Sequence, residues 1–223
     1  MFDGNYLLPN KIIKGSLINS QRGFSLLEMA IVLVVVGLLL GGSLIPLSMQ
    51  MEKKDRDTTK RQLDDIREAL IGFALVNRQL PCPDIDNDGV MDGATTCSNV
   101  EGGLPWVNLG LGKQDAWGQP FTYSVTSDFA NAAAFFSLST AGDIAVYDES
   151  GGAVAEFIPA IVISHGKNWA TTSSTDEAEN TDGDSTFIDR AYSVNAVSTF
   201  DDLMIWVPPN VLKSKMVSAA LLP

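Results

Sequence analysis

The apolar positions of this chain are unevenly spread. Residues 29–51 run for 23 positions without a charge, opening Met29-Ala30-Ile31-Val32-Leu33-Val34-Val35-Val36. As a helix the run would be about 35 Å long at ~1.5 Å per residue, enough to cross a hydrocarbon core of roughly 30 Å. A helix buried in a globular core would show a polar face, and this run shows none, so it reads as membrane-inserting. Pro46 lies inside it, lacks a backbone donor and is expected to kink or locally open the helix. Further on, Leu63, Ile66, Leu70 and Phe73 recur at spacings of 3, 4 and 3, an apolar stripe on one helical face. The pattern predicts one long helix from about 25 to 76, apolar all round in its first half and amphipathic in its second.

From about 80 onward the pattern changes to short apolar runs separated by Gly, Asp and Ser. Strands are predicted over 121–126, 134–139, 144–147, 158–164 and 203–207. Pro208-Pro209-Asn210 stops the last one, and 211–221 then reads as a short helix with Leu212, Met216 and Ala219 on one face. Residues 171–186, rich in Thr, Ser, Asp and Glu, read as a long loop. The fold class is α+β: a long N-terminal helix packed on an antiparallel sheet. Trp106, Trp117, Trp169 and Trp206 are expected between helix and sheet.

Charge removes some functions. Lys plus Arg number 15 and Asp plus Glu 27, a net charge of −12, which repels phosphate and disfavours nucleic acid as a partner. One His, two Cys and no CxxC leave little for a zinc or redox centre. His165, at a strand end before Gly166, reads as a turn residue rather than a catalyst, so no enzymatic activity is expected.

Two constellations carry chemistry of another kind. Asp84-Ile85-Asp86-Asn87-Asp88-Gly89-Val90-Met91-Asp92 places carboxylates at loop positions 1, 3, 5 and 9 and Gly at 6. With the Val90 carbonyl at position 7, that hard-oxygen set suits Ca²⁺, and four Asp in nine residues without a basic partner repel one another unless a cation joins them, so a calcium site is expected. Position 12 is Thr95, so the bidentate Glu of an EF-hand is missing, and a solvated acidic turn is the alternative. Cys82 and Cys97 bracket the loop. A disulfide between them would stabilise by roughly 3 kcal/mol on chain entropy and would need an oxidising compartment; two buried thiols are the alternative. A second acidic stretch offers Asp176, Glu179, Asp182 and Asp184 as calcium ligands, or as a solvated loop.

The front of the apolar run is more specific. Lys11, Lys14 and Arg22 precede Gly23-Phe24-Ser25-Leu26-Leu27-Glu28. Basic leader, Gly, Phe, three residues, Glu and about twenty apolar residues resemble the type IV prepilins and type II secretion pseudopilins. The resemblance implies cleavage by a prepilin peptidase between Gly23 and Phe24, with N-methylation of Phe24. It implies a leader at 1–23, a transmembrane and filament-core segment at 24–47, an amphipathic continuation at 48–79 and an extracytoplasmic β-rich domain at 80–223. Glu28 would neutralise the Phe24 amine of a neighbouring subunit, since an ammonium and a carboxylate in an apolar bundle each need the other. The implied partners are the peptidase, other pilin or pseudopilin subunits and the inner membrane, spanned once before assembly into a periplasmic or extracellular filament.

A second segment, Asp115-Ala116-Trp117-Gly118-Gln119-Pro120-Phe121-Thr122-Tyr123, resembles the Asp-Pro-Trp-Gly-Asn-Pro-Tyr-x-Tyr stretch of the major pseudopilin. Ile163-Ser164-His165-Gly166-Lys167-Asn168 and the acidic residues after it resemble that family's calcium loop. Ala116 departs from the pattern, and the spacing is longer. Three Lys/Arg before the run and five soon after it give no orientation by themselves. Two other readings stay open: a minor subunit that primes or modifies a filament, and an anchored binding module whose run is an ordinary signal ending near Gly41-Gly42-Ser43.

Overall fold

The computed structural model describes residues 23–93, 95–169, 174–195 and 198–222, with the side chains of 41–47 left aside. Its elements are α1 (Leu26–Asn77), β1 (Glu101–Gly103), α2 (Trp106–Leu109), β2 (Thr122–Val125), β3 (Ile144–Tyr147), β4 (Ala153–Ile158), β5 (Ala160–Ser164), α3 (Thr175–Glu179), β6 (Thr186–Ile188), β7 (Leu203–Trp206) and α4 (Pro209–Ser218). The chain divides into two units between residues 48 and 49. The kink expected at Pro46 falls among residues whose side chains are outside the description. Among the described residues no helix is long and apolar enough to cross a membrane; the side chains of the uncharged run are described over 29–40 and 48–51.

In the unit from residue 49 onward, β1-β2-β5-β7 form an antiparallel sheet. Leu63, Ile66, Leu70, Ile71 and Ala74 of α1 share one buried cluster with Tyr123, Val125, Ala160 and Val162 of the sheet, Val207 just after β7, and Leu212 and Met216 of α4. A second cluster joins Ile161 and Ile163 of β5 to Ile144, Val146, Ile158 and Phe187. Strand β5 is therefore covered on both faces and buried at every position, which is why Ala-Ile-Val-Ile shows no polar alternation.

The architecture is α+β, as expected, but it has two sheets. Strands β4-β3-β6 form the second, in which β3 and β6 are parallel. The predicted strand 158–164 splits at Pro159, where the chain leaves one sheet for the other. The predicted strand 134–139 is a bend and turn region instead. Phe136 there is buried against Phe129, ring centroids 4.8 Å apart, and the Thr140 hydroxyl accepts from Ser137 N at 2.9 Å. Packing of one aromatic ring explains the apolar residues without a ladder.

Helix α4 starts at Pro209, whose missing N–H costs nothing at a first helical position. It ends at Ser218, so Ala219 is not on its face. The predicted loop 171–186 holds α3, capped by the Ser174 hydroxyl, which accepts from Glu177 N at 3.3 Å. The tryptophans divide. Trp106 and Trp117 pack on the α1-side cluster and Trp206 on the opposite one, while Trp169 is 50% exposed. On β7 the period of two sends Met204 and Trp206 to one face and Leu203 and Ile205 to the other.

The segment 115–120 is tied down by Asp115. Its Oδ1 accepts from Trp117 N at 2.9 Å and Gln119 N at 2.8 Å, and its Oδ2 accepts from the Ser164 hydroxyl at 2.6 Å. Thr59 of α1, fully buried, accepts from Ala116 N at 3.2 Å. One carboxylate thus fixes the turn, and one threonine fastens it to the helix.

Candidate functional site

At the start of α1, Phe24 is 77% exposed and Gly23 is exposed. The Ser25 hydroxyl accepts from Glu28 N at 3.1 Å, and Glu28 Oε2 accepts from Ser25 N at 3.4 Å. This is a reciprocal capping box, which satisfies two donors that the helix start leaves without intrahelical partners. Glu28 therefore has a local role that the sequence reading missed. The Ser-x-x-Glu spacing was the signal. The carboxylate also sits where the positive end of the helix dipole favours it. The basic residues Lys11, Lys14 and Arg22 lie outside the described residues.

Cys82 and Cys97 are joined in a disulfide across 15 residues, which answers the thiol alternative. Inside that ring, Asp84, Asp86 and Asp88 bring carboxylate oxygens within 4.8 Å of one another. Asp84 is buried and accepts from Asn87 N and Gly89 N, both at 2.8 Å. Gly89 has φ +90°, and a Cβ there would meet the Trp106 ring. The sharp turn and the close approach both need glycine. Asp92 is not in the carboxylate triple; its Oδ2 accepts from Ile85 N at 2.6 Å, closing the loop from the other side.

In the second acidic stretch the structure brings together Glu179, Asp182 and Asp184, again within 4.8 Å. Asp176 turns elsewhere: its Oδ2 lies 3.0 Å from Arg190 Nε. Burial, then the neighbouring Asp182, Asp184 and Asp176, raise the Glu179 carboxyl above its ordinary range.

A third cluster, Glu177, Asp201 and Asp202, was not foreseen. Glu177 and Asp202 are buried. Glu177 Oε1 accepts from Asp201 N at 3.2 Å and from Asn168 Nδ2 at 3.3 Å. Asp202 Oδ2 accepts from Asn180 Nδ2 at 2.8 Å, and its Oδ1 lies 3.7 Å from His165 Nδ1. His165 Nε2 meets the Thr122 hydroxyl at 3.0 Å. Asp201 Oδ2 accepts from Lys167 N at 2.8 Å, and Gly166, at φ +62°, lies so close that a Cβ would clash with Asp201. Burial pushes the Asp201 carboxyl up to about 6; two backbone donors oppose the rise, while Glu177 and Asp202 add to it. The adjacent Asp201-Asp202 ahead of an apolar strand was the available signal, but its partners lie 22 and more residues away in sequence.

The prokaryotic N-terminal methylation motif matches residues 18–44. This is the prepilin-type cleavage and methylation signal of type IV pilins and pseudopilins, and it spans Gly23, Phe24 and Glu28. No curated protein and no solved structure matches the chain.

Proposed function

We propose that this chain is made as a prepilin and works as a structural subunit of a type IV pilus-like or type II secretion pseudopilus filament. The prepilin peptidase cuts between Gly23 and Phe24 and methylates Phe24. The uncharged run holds the subunit in the inner membrane as a single pass and then enters the filament core. The domain from about 80 onward stays outside the cytoplasm, where an oxidising environment suits the Cys82–Cys97 bond. The observation carrying this reading is the methylation motif over 18–44, followed by side chains of 26–40 that are exposed throughout.

The peptidase supplies the chemistry; the chain supplies a scissile bond whose Gly23 has no side chain, and the Glu28 carboxylate. Intact mass of the mature chain tests the processing. A methylated N-terminus at Phe24 is expected, and Gly23→Leu should stay uncut. A mature chain beginning near Ser43 would mean an ordinary signal and would end the proposal.

Calcium belongs to the same proposal. The Asp84, Asp86 and Asp88 oxygens, with the Val90 carbonyl and Asp92, would hold the ion, and it would neutralise carboxylates that otherwise repel one another. The full-length chain in detergent should resist protease at 84–92 in Ca²⁺ and yield in chelator. Equal cleavage in both would remove calcium from the reading and leave the filament role standing.

A further inference from the structure

The uncharged run ends at Met51, and the first charge after it is Glu52. A helical run of 23 residues covers about 35 Å. A bilayer measures roughly 30 Å across its hydrocarbon and ~40–45 Å with its headgroups. A run that spans the hydrocarbon therefore delivers Glu52 into the headgroup layer.

A cavity of about 450 Å³ opens beside that residue, with Glu52, Lys167, Tyr192, Val194 and Asp201 among its walls. Its charges are mixed. Lys167 Nζ lies 3.8 Å from Glu52 Oε2, an ion pair too long to be a hydrogen bond. Neither group has a second ion-pair partner among the described residues. Burial, then Glu52 and Asp201, raise the Tyr192 hydroxyl above its ordinary range, with Arg56 opposing them. Both carboxylates thus act on the same side chain of the wall. Val194 is 75% exposed, and Trp169 and Met51, next to these walls in the chain, are exposed too. Tryptophan is the residue type that gathers where a membrane meets water.

We propose that this cavity holds the headgroup of a phosphatidylethanolamine molecule from the membrane that the uncharged run crosses. The inference rests on the membrane reading of that run. Phosphoethanolamine carries one phosphate and one primary ammonium, and the walls offer the complement of each. The Lys167 ammonium meets the phosphate; the Glu52 and Asp201 carboxylates meet the ammonium. Admitting the headgroup replaces one long ion pair by shorter, charge-assisted hydrogen bonds. A purely anionic headgroup would face two carboxylates with no cation of its own. Choline has no N–H to donate and is held by aromatic faces, and one face of the Tyr192 ring is covered by Arg56, 3.7 Å from its centroid.

The test uses the full-length chain in detergent, offered equal amounts of phosphatidylethanolamine, phosphatidylcholine and phosphatidylglycerol. Native mass spectrometry reads which lipids it keeps. Phosphatidylethanolamine should be kept about tenfold over phosphatidylcholine, as one hydrogen bond to a charged group allows. Lys167→Glu, and separately Glu52→Gln with Asp201→Asn, should each erase that preference. Lys167 has a 72% exposed side chain, so the first variant does not test folding. All variants should still float with vesicles once the detergent is removed. Equal retention of the three lipids, a preference for either of the other two, or a preference that survives both variants would overturn the headgroup site and leave the membrane reading intact. A wild-type chain that prefers phosphatidylethanolamine but does not float would keep the site and overturn the membrane reading.

Discussion

Residues 26–40 and residues 49–77 lie in one helix, yet they treat apolar side chains in opposite ways. Leu26 is 89% exposed and Val36 43%, whereas Leu63 is at 2% and Ala74 at 0%. The residue types are alike; the difference is whether the chain brings its own cover. In the later stretch the sheet and α4 cover one face, and the other faces carry charge. In the earlier stretch no face is polar. Burying a single Leu or Val is worth about 1.5–3 kcal/mol, and contiguous exposed apolar surface marks a membrane or protein contact. One half of the helix is thus written for this domain and the other for a surface outside it.

The sharpest way to break that contrast is at Glu28. In Glu28→Val the incoming Phe24 amine would enter an apolar bundle without a counter-charge, and removing one partner of a buried pair typically costs ~3–5 kcal/mol. Filaments sheared from cells should be lost while membrane-bound subunit remains. Because Glu28 also closes the capping box, Ser25→Ala serves as the control. It removes the cap at about 1 kcal/mol and keeps the charge, so its filaments should persist. If both variants assemble like wild type, the carboxylate does not pair between subunits.

Two substitutions of one residue type separate the halves further. Leu70→Ala empties a site in the α1-side cluster and should destabilise the domain by about 2–5 kcal/mol, lowering its melting temperature in detergent. Leu33→Ala should leave that melting temperature unchanged and act only on membrane retention or assembly. Equal effects of the two on melting would mean that residue 33 is covered by the domain after all. A somewhat smaller loss, about 3 kcal/mol, is expected when Cys82 and Cys97 are both changed to Ser, with protease then entering the 84–92 loop first. An unchanged midpoint of denaturation would show that the ring adds no stability.

The sequence exposed most where a signal was local. The extent of α1 was readable from residues 25 to 76 because helical periodicity and the uncharged run abut. The Cys82–Cys97 ring and the Asp84-Asp86-Asp88 grouping were readable because both close within 15 residues. The second sheet was not. Its outer strand β4 is mostly exposed and β6 is three residues long, too short for alternation to register. The apolar segment 134–139 misled because burial of Phe136 needs no strand. The Glu177–Asp201–Asp202 cluster was hidden because it is assembled by the residues leading into β7, by α3 and by the 165–168 turn, and no short window of sequence contains all three.

That hidden cluster yields the smallest effect, confined to the domain. Asp201 in the folded chain keeps its proton up to about pH 6, whereas an unperturbed aspartate releases it near ~3.9. Between those values the folded state binds more protons than the unfolded state, so stability falls as pH rises. The contribution is fully present below the unfolded value and gone once pH has climbed through 6. A shift of about two units corresponds to roughly 2.7 kcal/mol; the side chain is only half-buried, and screening by solvent reduces this to about 1 kcal/mol. Burial raises Glu101 and Asp189 in the same direction, so Asp201 has to be isolated by difference. Asp201→Asn keeps an oxygen to accept from Lys167 N and cannot ionise. Its melting temperature should fall less than that of wild type between pH 4.5 and pH 7, the two curves converging at the acidic end. A wild-type domain that instead grows more stable over that interval by more than Asp201→Asn does would mean that Asp201 is held ionised, by a cation or by donors from the surrounding turn.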